Sequence, residues 1–305
     1  MKPPPFTYHR PMGVEEALEV LARVGDDGKV LAGGQSLVPL LNMRLAAPAN
    51  LVDINRLDDL AYVRVEQSSS GSGVRVGALA RHADVEHDEA TWRALPLLRQ
   101  AVQNVAHATI RNRGTTVGSL AHADPSGEMT AVLALLGGSV ELRTATATRV
   151  VGADEFFLGP LESCIRPGEL AVSAYFPAPD AQTGSAWLEV ARRHGDYALC
   201  GVGALVTLDD DLRVTAARTG YISVDATPVV LDLGEPVAGR SFDAADWAAA
   251  GRLAQAQLEP EEDIHATAEY RRHLAGVLTS RALSAAANNA VQRIAGPQHR
   301  TEASR

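Results

Sequence analysis

The sequence predicts an α+β protein in which two small α/β units precede a region of short strands closed by helices. Three observations point to it. Helical and strand patterns alternate through the first 57 residues, short strand patterns broken by Gly, Pro and Asp fill residues 139–224, and an amphipathic helical stripe follows near the C-terminus. With 305 residues, 46% of them hydrophobic, the chain can bury the cores of about two or three domains.

The elements follow in order. Residues 14–24 form an amphipathic helix, 29–32 a short strand, 36–45 a helix and 51–54 a further strand. The run SSSGSG at 68–73 lies between valine-rich segments at 62–65 and 74–77, which makes it a flexible hairpin connection. A helix is expected over 95–107, a glycine-punctuated loop over 111–125 and a second helix over 127–136. Ser126 can cap that second helix, Glu128 suits its first turn and Gly137 can end it. Strands are then expected at 139–143, 169–176, 186–192, 199–208 and 213–224, with the best domain boundary at 177–183. The chain closes with helices over 244–257 and 266–287. In the latter Tyr270, Leu274, Val277 and Leu278 fall on one stripe that must pack on the domain. The expected division is 1–176, with subdomains 1–57 and 58–176, then 177–288, and a flexible tail over 289–305.

Charge and cysteine usage narrow the chemistry. A net charge of −9 with no Lys/Arg run leaves no field to attract a polyanion, so no nucleic-acid partner is expected. The first eleven residues lack the apolar core of a secretory signal, and no stretch is long and apolar enough for a membrane span, so a cytoplasmic location is expected. Cys164 and Cys200 are the only cysteines, too few for an iron–sulfur cluster or a Cys-based zinc site, and both are read as small buried residues. His107, His122, His194 and His265 have no partner at metal-ligand spacing, and no GxSxG motif points to a hydrolase. No metal site is expected on this chain.

Two segments carry chemistry. In KVLAGGQSLVPLLNMRL, residues 29–45, a strand runs through Gly33 and Gly34 directly into a helix. Two glycines let the backbone turn and approach a ligand, and the N–H groups of Gly34, Gln35, Ser36 and Leu37 at a positive helix end suit a pyrophosphate. The alternative is an ordinary strand-to-helix turn. The second segment, TIRNRGTTVGSLAHADPSGEMTAVLALL at 109–136, supplies Gly114, Thr115, Thr116, Gly118 and Ser119. Asp124 and Glu128 offer carboxylates for ribose hydroxyls, or serve as a turn residue before Pro125 and a dipole-favoured residue of a first helical turn. Arg111 and Arg113 either attract a cofactor's negative charge or are solvated loop arginines.

Both segments resemble the FAD pyrophosphate loops of the flavoprotein subunits in the xanthine dehydrogenase and aerobic carbon monoxide dehydrogenase family of molybdenum hydroxylases. LVDINRL at 51–57, VRVGALARHADVE at 74–86 and EYRRHLAGVLTSRAL at 269–283 extend the resemblance over nearly the whole chain. It implies a vanillyl-alcohol-oxidase (PCMH)-type FAD-binding domain of two α/β subdomains, followed by a C-terminal α+β flavoprotein domain with antiparallel sheet and helices. The implied FAD contacts are Leu31, Ala32, Gly33, Gly34, Gln35, Ser36, Leu37, Ala78, Thr115, Gly118, Ser119 and Ala123. Asp124 and Glu128 are implied near the adenosine half. Tyr197, within ARRHGDYALCGVG at 191–203, is implied at the isoalloxazine ring, the alternative being a surface turn.

One departure from the family pattern matters: Val117 precedes Gly118 where two adjacent glycines are usual after Gly-Thr-Xaa. A β-branched residue at positive φ would cost on the order of 1–3 kcal/mol, so Val117 is expected at negative φ, with Gly118 alone making the close approach. The resemblance implies an electron-transfer subunit that takes electrons from iron–sulfur clusters to FAD and on to an external acceptor. It also implies a large molybdenum-cofactor subunit and a small subunit with two 2Fe–2S clusters as partners, joined in a dimer of heterotrimers. Two rival readings are a freestanding FAD-dependent oxidase or reductase of the same fold and a cofactor-free interaction module.

Overall fold

The computed structural model describes residues 2–68 and 71–295, so part of the connection expected at 68–73 and residues 296–305 of the expected tail lie outside the described residues. The chain forms two compact units. The first comprises the residues up to Ala94, Val105–Asp124 and Gly137–Pro177; the second comprises Leu95–Asn104, Pro125–Leu136 and the chain from Ala178 onward. The mixed α and β architecture, with antiparallel sheets and C-terminal helices, is the one expected from the sequence.

The first unit opens with a three-stranded parallel sheet in which Asn50–Asp53 lies between Thr7–His9 and Gly28–Leu31. Helix Val14–Val24 crosses between the outer strands and buries Ala17, Leu18 and Leu21, as its 3.6-residue periodicity requires. Strand Thr7–His9 was not foreseen, because the prolines just before it mask a strand that needs only one parallel neighbour. A five-stranded antiparallel sheet follows in the order Val63–Ser68, Gly71–Gly77, Leu170–Pro177, Ser139–Arg143 and Thr148–Gly152. Val74, Val76, Val140, Leu142, Ala174 and Phe176 are buried in it.

The stretch expected as a loop over 111–125 is largely helical. Ala108–Arg111 forms one turn and Thr116–His122 two. The second helix is capped by Thr115, whose side chain accepts a hydrogen bond from Gly118 N at 3.1 Å, and it ends at Ala123 in the left-handed conformation. Val117 and Leu120, one turn apart, are buried. Glycine and threonine density hid this helix, since its stability comes from a cap and two apolar contacts rather than from propensity. The helix expected over 95–107 is confined to Pro96–Val102, and Ala106 at φ 45° turns the chain away.

The second unit is built on an antiparallel sheet ordered Thr183–Ala191, Ala198–Leu208, Val214–Ile222 and Val229–Asp232. Adjacent residues of its third strand show what covers each face. Tyr221 Oη lies 2.7 Å from Thr279 Oγ1 on the C-terminal helix, Ala268–Ala295, while a Cβ on Gly220 would sit 3.0 Å from Leu135 on helix Glu128–Leu136. The C-terminal helix lies so close that a Cβ at Gly184 would be 2.1 Å from the Ala286 carbonyl oxygen. Small residues make this approach possible: Ala275, Ala282, Ala286 and Ala290 are buried beside Leu274 and Leu278. Of the expected stripe, Tyr270 is exposed and Val277 half-buried. The helix runs through 289–295, expected as tail, because Ala290 is buried and Asn289 Nδ2 donates to the Ser185 carbonyl at 2.8 Å.

Arg271 is the charged residue on which this unit turns. Its Nη1 donates to the carbonyls of Ser223 at 2.7 Å and Leu199 at 3.4 Å, and its Nη2 lies 2.6 Å from Asp263 Oδ2. Burial favours protonation of Asp263, but N–H bonds from His265 and Ala266 and the Arg271 guanidinium prevail and hold the carboxyl down at about 2. Cys200 is buried, its thiol pushed up to about 12 by desolvation, whereas Cys164 is only half-buried beside Arg149, a correction to the expectation that both are buried. Arg271→Ala is expected to strip two buried carbonyls of their donor and destabilise the chain by about 2–3 kcal/mol, read as a lowered urea midpoint.

Candidate functional site

The first glycine turn is delivered by the parallel sheet. Strand Gly28–Leu31 ends, Gly34 takes φ 71°, and helix Leu37–Met43 begins three residues later. Gly33 is fixed by proximity instead: a Cβ there would lie 2.3 Å from the Arg113 carbonyl oxygen and 2.7 Å from Gly114 Cα. The Ala32 carbonyl accepts from Asn55 Nδ2 at 2.8 Å. Because a trans peptide points its C=O and the following N–H in opposite directions, the Gly33 N–H faces away from Asn55. Among the described residues, none accepts a hydrogen bond from the N–H groups of Gly33, Gly34, Gln35 or Ser36.

The second segment meets the first at Arg113 and Gly114. Arg81 Nη1 donates to the Arg113 carbonyl at 2.6 Å, and Arg81 Nη2 donates to Asn55 Oδ1 at 2.7 Å. His82 N donates to the Gly114 carbonyl at 2.9 Å, and Thr116 N to the Ala80 carbonyl at 3.3 Å. Val117 is buried and is not among the residues at positive φ, as expected. Gly118 is third in its helix, where a Cβ would come within 2.5 Å of Thr115 Oγ1 and its N–H serves the cap, so its smallness is used locally. Arg111 is neither solvated nor free for a cofactor: it pairs with Glu86 at 2.7 Å and donates to the carbonyls of Val105 and Ala106.

The other sequence candidates divide between the units. Leu31, Ala32, Gln35, Ser36 and Leu37 are half-buried around the first turn, and Ser119 and Asp124 are half-buried around the second helix. Ala78 and Ala123 are buried; the Ala78 N–H is taken by the Val172 carbonyl at 2.9 Å and the Ala123 carbonyl by Leu161 N at 3.0 Å. Glu128 and Tyr197 belong to the second unit. Tyr197 follows the turn between strands Thr183–Ala191 and Ala198–Leu208 and is 68% exposed. Sequence reasoning gave no individual role to Asn55, Arg81 or His82, which sit inside quoted segments without motif spacing.

His82 underlies the second segment. It is buried, its Nδ1 lies 3.2 Å from Thr116 Oγ1, and a Cβ on Gly114 would be 3.0 Å from its ring. Desolvation, aided by the Arg111 charge, pushes its pKa down to about 4. Arg81 is lowered by burial and by the like charge of Arg113. On the sheet side, Tyr8 Oη donates to Asp53 Oδ2, and Asp53 Oδ1 accepts from Asn55 Nδ2 at 2.6 Å. Burial would raise Asp53, but these donors win and keep it ionised.

Residues 4–179 match the family described as FAD binding domain in molybdopterin dehydrogenase, and residues 185–286 match the CO dehydrogenase flavoprotein C-terminal domain. The chain is an FAD-binding subunit of the molybdenum hydroxylase family. This flavoprotein subunit is 39% identical over 291 residues to the 6-hydroxypseudooxynicotine dehydrogenase complex subunit alpha of Paenarthrobacter nicotinovorans, a match covering 95% of this chain and 97% of that protein. It is also 39% identical over 299 residues to the caffeine dehydrogenase subunit beta of Pseudomonas sp. strain CBB1, covering 95% and 98%. Among solved structures, quinoline 2-oxidoreductase from Pseudomonas putida 86 matches with a TM-score of 0.88 at 35% identity, over 96% of this chain and 100% of the matched one.

The first turn of the flavoprotein subunit fits the pyrophosphate of its FAD. A row of N–H groups without protein acceptors just before a helix can take an anion, and the missing side chain of Gly33 lets this turn pack directly against Arg113 and Gly114. Among the described residues no helix is long and apolar enough to cross a membrane, and no group of three or more His, Cys, Asp or Glu is placed to hold a metal ion.

Two outcomes are expected. Gly33→Ala forces the turn off Arg113 and weakens FAD binding by about tenfold or more, measured by titrating FAD into deflavinated protein. His82 titrates near 6.5 when unfolded and near 4 when folded, so the unfolded chain takes up the proton first as pH falls. Stability therefore declines from about pH 6.5 down to about 4 by on the order of 3 kcal/mol and levels off below; His82→Gln should flatten that decline in urea midpoints measured across the range.

Proposed function

We propose that the first unit grips the FAD pyrophosphate between the turn Ala32, Gly33, Gly34, Gln35, Ser36 and Leu37 and the segment Thr115, Gly118 and Ser119. Leu31, Ala78 and Ala123 form the surrounding backbone, and Asp124 offers a carboxylate to the adenosine half. The observation that carries this reading is the unclaimed N–H row of Gly33 to Ser36, set against the Arg113 carbonyl by a glycine that has no room for a Cβ. The roles expected of Glu128 and Tyr197 rest on the family resemblance.

Bound FAD supplies the redox chemistry, because a flavin couples one-electron carriers to a two-electron acceptor. The chain's part is to hold and orient the cofactor: outward N–H groups neutralise phosphate charge, and Asn55 and Arg81 keep the supporting carbonyls turned away. The electrons come from iron–sulfur clusters on a small partner subunit and originate at a molybdenum cofactor on a large one, where the organic substrate is oxidised. The proposed assembly is a dimer of heterotrimers in the cytoplasm.

Acid release from the purified complex should yield close to one FAD per copy of this chain. The organic substrate should bleach the visible flavin absorbance only when the partner subunits are present. Substrate oxidation by this chain alone would favour the freestanding oxidase, and no flavin in the complex would favour the interaction module.

A further inference from the structure

Two carbonyl groups lie at the start of the two proposed cofactor segments, and one side-chain bridge holds both. The Ala32 carbonyl precedes Gly33, and the Arg113 carbonyl precedes Gly114 and Thr115. Asn55 Nδ2 donates to the first at 2.8 Å, Arg81 Nη1 donates to the second at 2.6 Å, and Arg81 Nη2 closes the gap by donating to Asn55 Oδ1 at 2.7 Å. Both ends are anchored. Asn55 is fixed by Asp53, whose Oδ1 accepts from Asn55 N at 2.9 Å and from Nδ2 at 2.6 Å, and the Arg81 backbone N donates to Asp84 Oδ2 at 2.8 Å.

We propose that Arg81 and Asn55 are positioning residues for FAD: their bridge ties the two cofactor segments together and sets the direction of the first N–H row. This rests on the reading that these segments grip the pyrophosphate. Three features argue for it. Each bridged carbonyl points away from the N–H that follows it, so capturing the Ala32 oxygen turns Gly33 N–H toward the opposite side. The guanidinium uses two forks of its fixed planar geometry, which sets the separation of Asn55 and Arg113 in a way a lysine cannot reproduce. Gly33 and Arg113 touch at the point the bridge spans, so any loosening opens the contact directly.

The test uses the full chain, purified with its partner subunits and deflavinated, in parent form and as Arg81→Met, Arg81→Lys, Asn55→Ala and the Arg81→Met/Asn55→Ala double variant. Dissociation constants for FAD and for riboflavin, which lacks the pyrophosphate, are read from flavin fluorescence, and thermal melts check folding. Each single variant should weaken FAD binding by about tenfold or more while riboflavin binding stays within about twofold of the parent. Lysine should not restore the loss, and the double variant should bind about as well as the weaker single, since both interrupt one bridge. FAD affinity at the parent level in Arg81→Met and Asn55→Ala overturns the proposal, as does full rescue by lysine, which would assign the effect to charge. Should Arg81→Met fail to fold, Arg81→Lys and Asn55→Ala decide by the same criteria. A parent protein that binds no FAD overturns the underlying reading as well, whereas parent binding with unaffected variants overturns only the bridge.

Discussion

Backbone meets backbone at Gly33 and Arg113, and the first unit is organised around that contact. The space there admits no Cβ, so the residue must be glycine, and the glycine turn can be no farther from the second segment than one carbonyl's width. The parallel sheet brings Leu31 and Asp53 side by side in register, which places Asn55 two residues on to reach the Ala32 carbonyl. From the other direction, strand Gly71–Gly77 leads to Arg81 and His82, which take the carbonyls of Arg113 and Gly114. Chain segments far apart in sequence thus converge beside a turn whose N–H groups, Gly33 to Ser36, have no acceptor among the described residues.

Electrostatics at this junction follow from the same crowding. Desolvation keeps His82 neutral beneath Gly114, and Arg111, which would otherwise add charge to the approach, is tied to Glu86. Arg81 is lowered first by burial and then by the like charge of Arg113, while the carboxylates of Asp84 and Asp53 act the other way.

Much of this was legible in the sequence because it is periodic or local. Helix Val14–Val24 matches its apolar repeat residue for residue, strand Ser139–Arg143 matches its alternation, and Gly33–Gly34 before a helix marked the turn that the structure bears out in shape. Most of what escaped is non-local. Strand Thr7–His9 exists because Asn50–Asp53 lies beside it, whereas helix Thr116–His122 has a local cap in Thr115 and was hidden by its glycine and threonine content. Asn55 and Arg81 look like ordinary surface polars in sequence; their importance appears only when each is seen to hold a carbonyl at a distance of more than twenty residues. The long C-terminal helix was underestimated at its end for the same reason, since Asn289 is held by Ser185 on a strand the periodicity cannot see.

The way the second unit borrows Leu95–Asn104 and Pro125–Leu136 from the earlier part of the chain has a consequence during synthesis. Leu97, Leu98, Met129, Leu133 and Leu135 are fully buried in the finished protein, yet helices Pro96–Val102 and Glu128–Leu136 leave the ribosome before the strands that cover them. At about 5–20 residues per second these apolar faces wait several seconds for their sheet. The nascent subunit therefore passes through a stage in which its first half is complete in length but cannot be complete in structure.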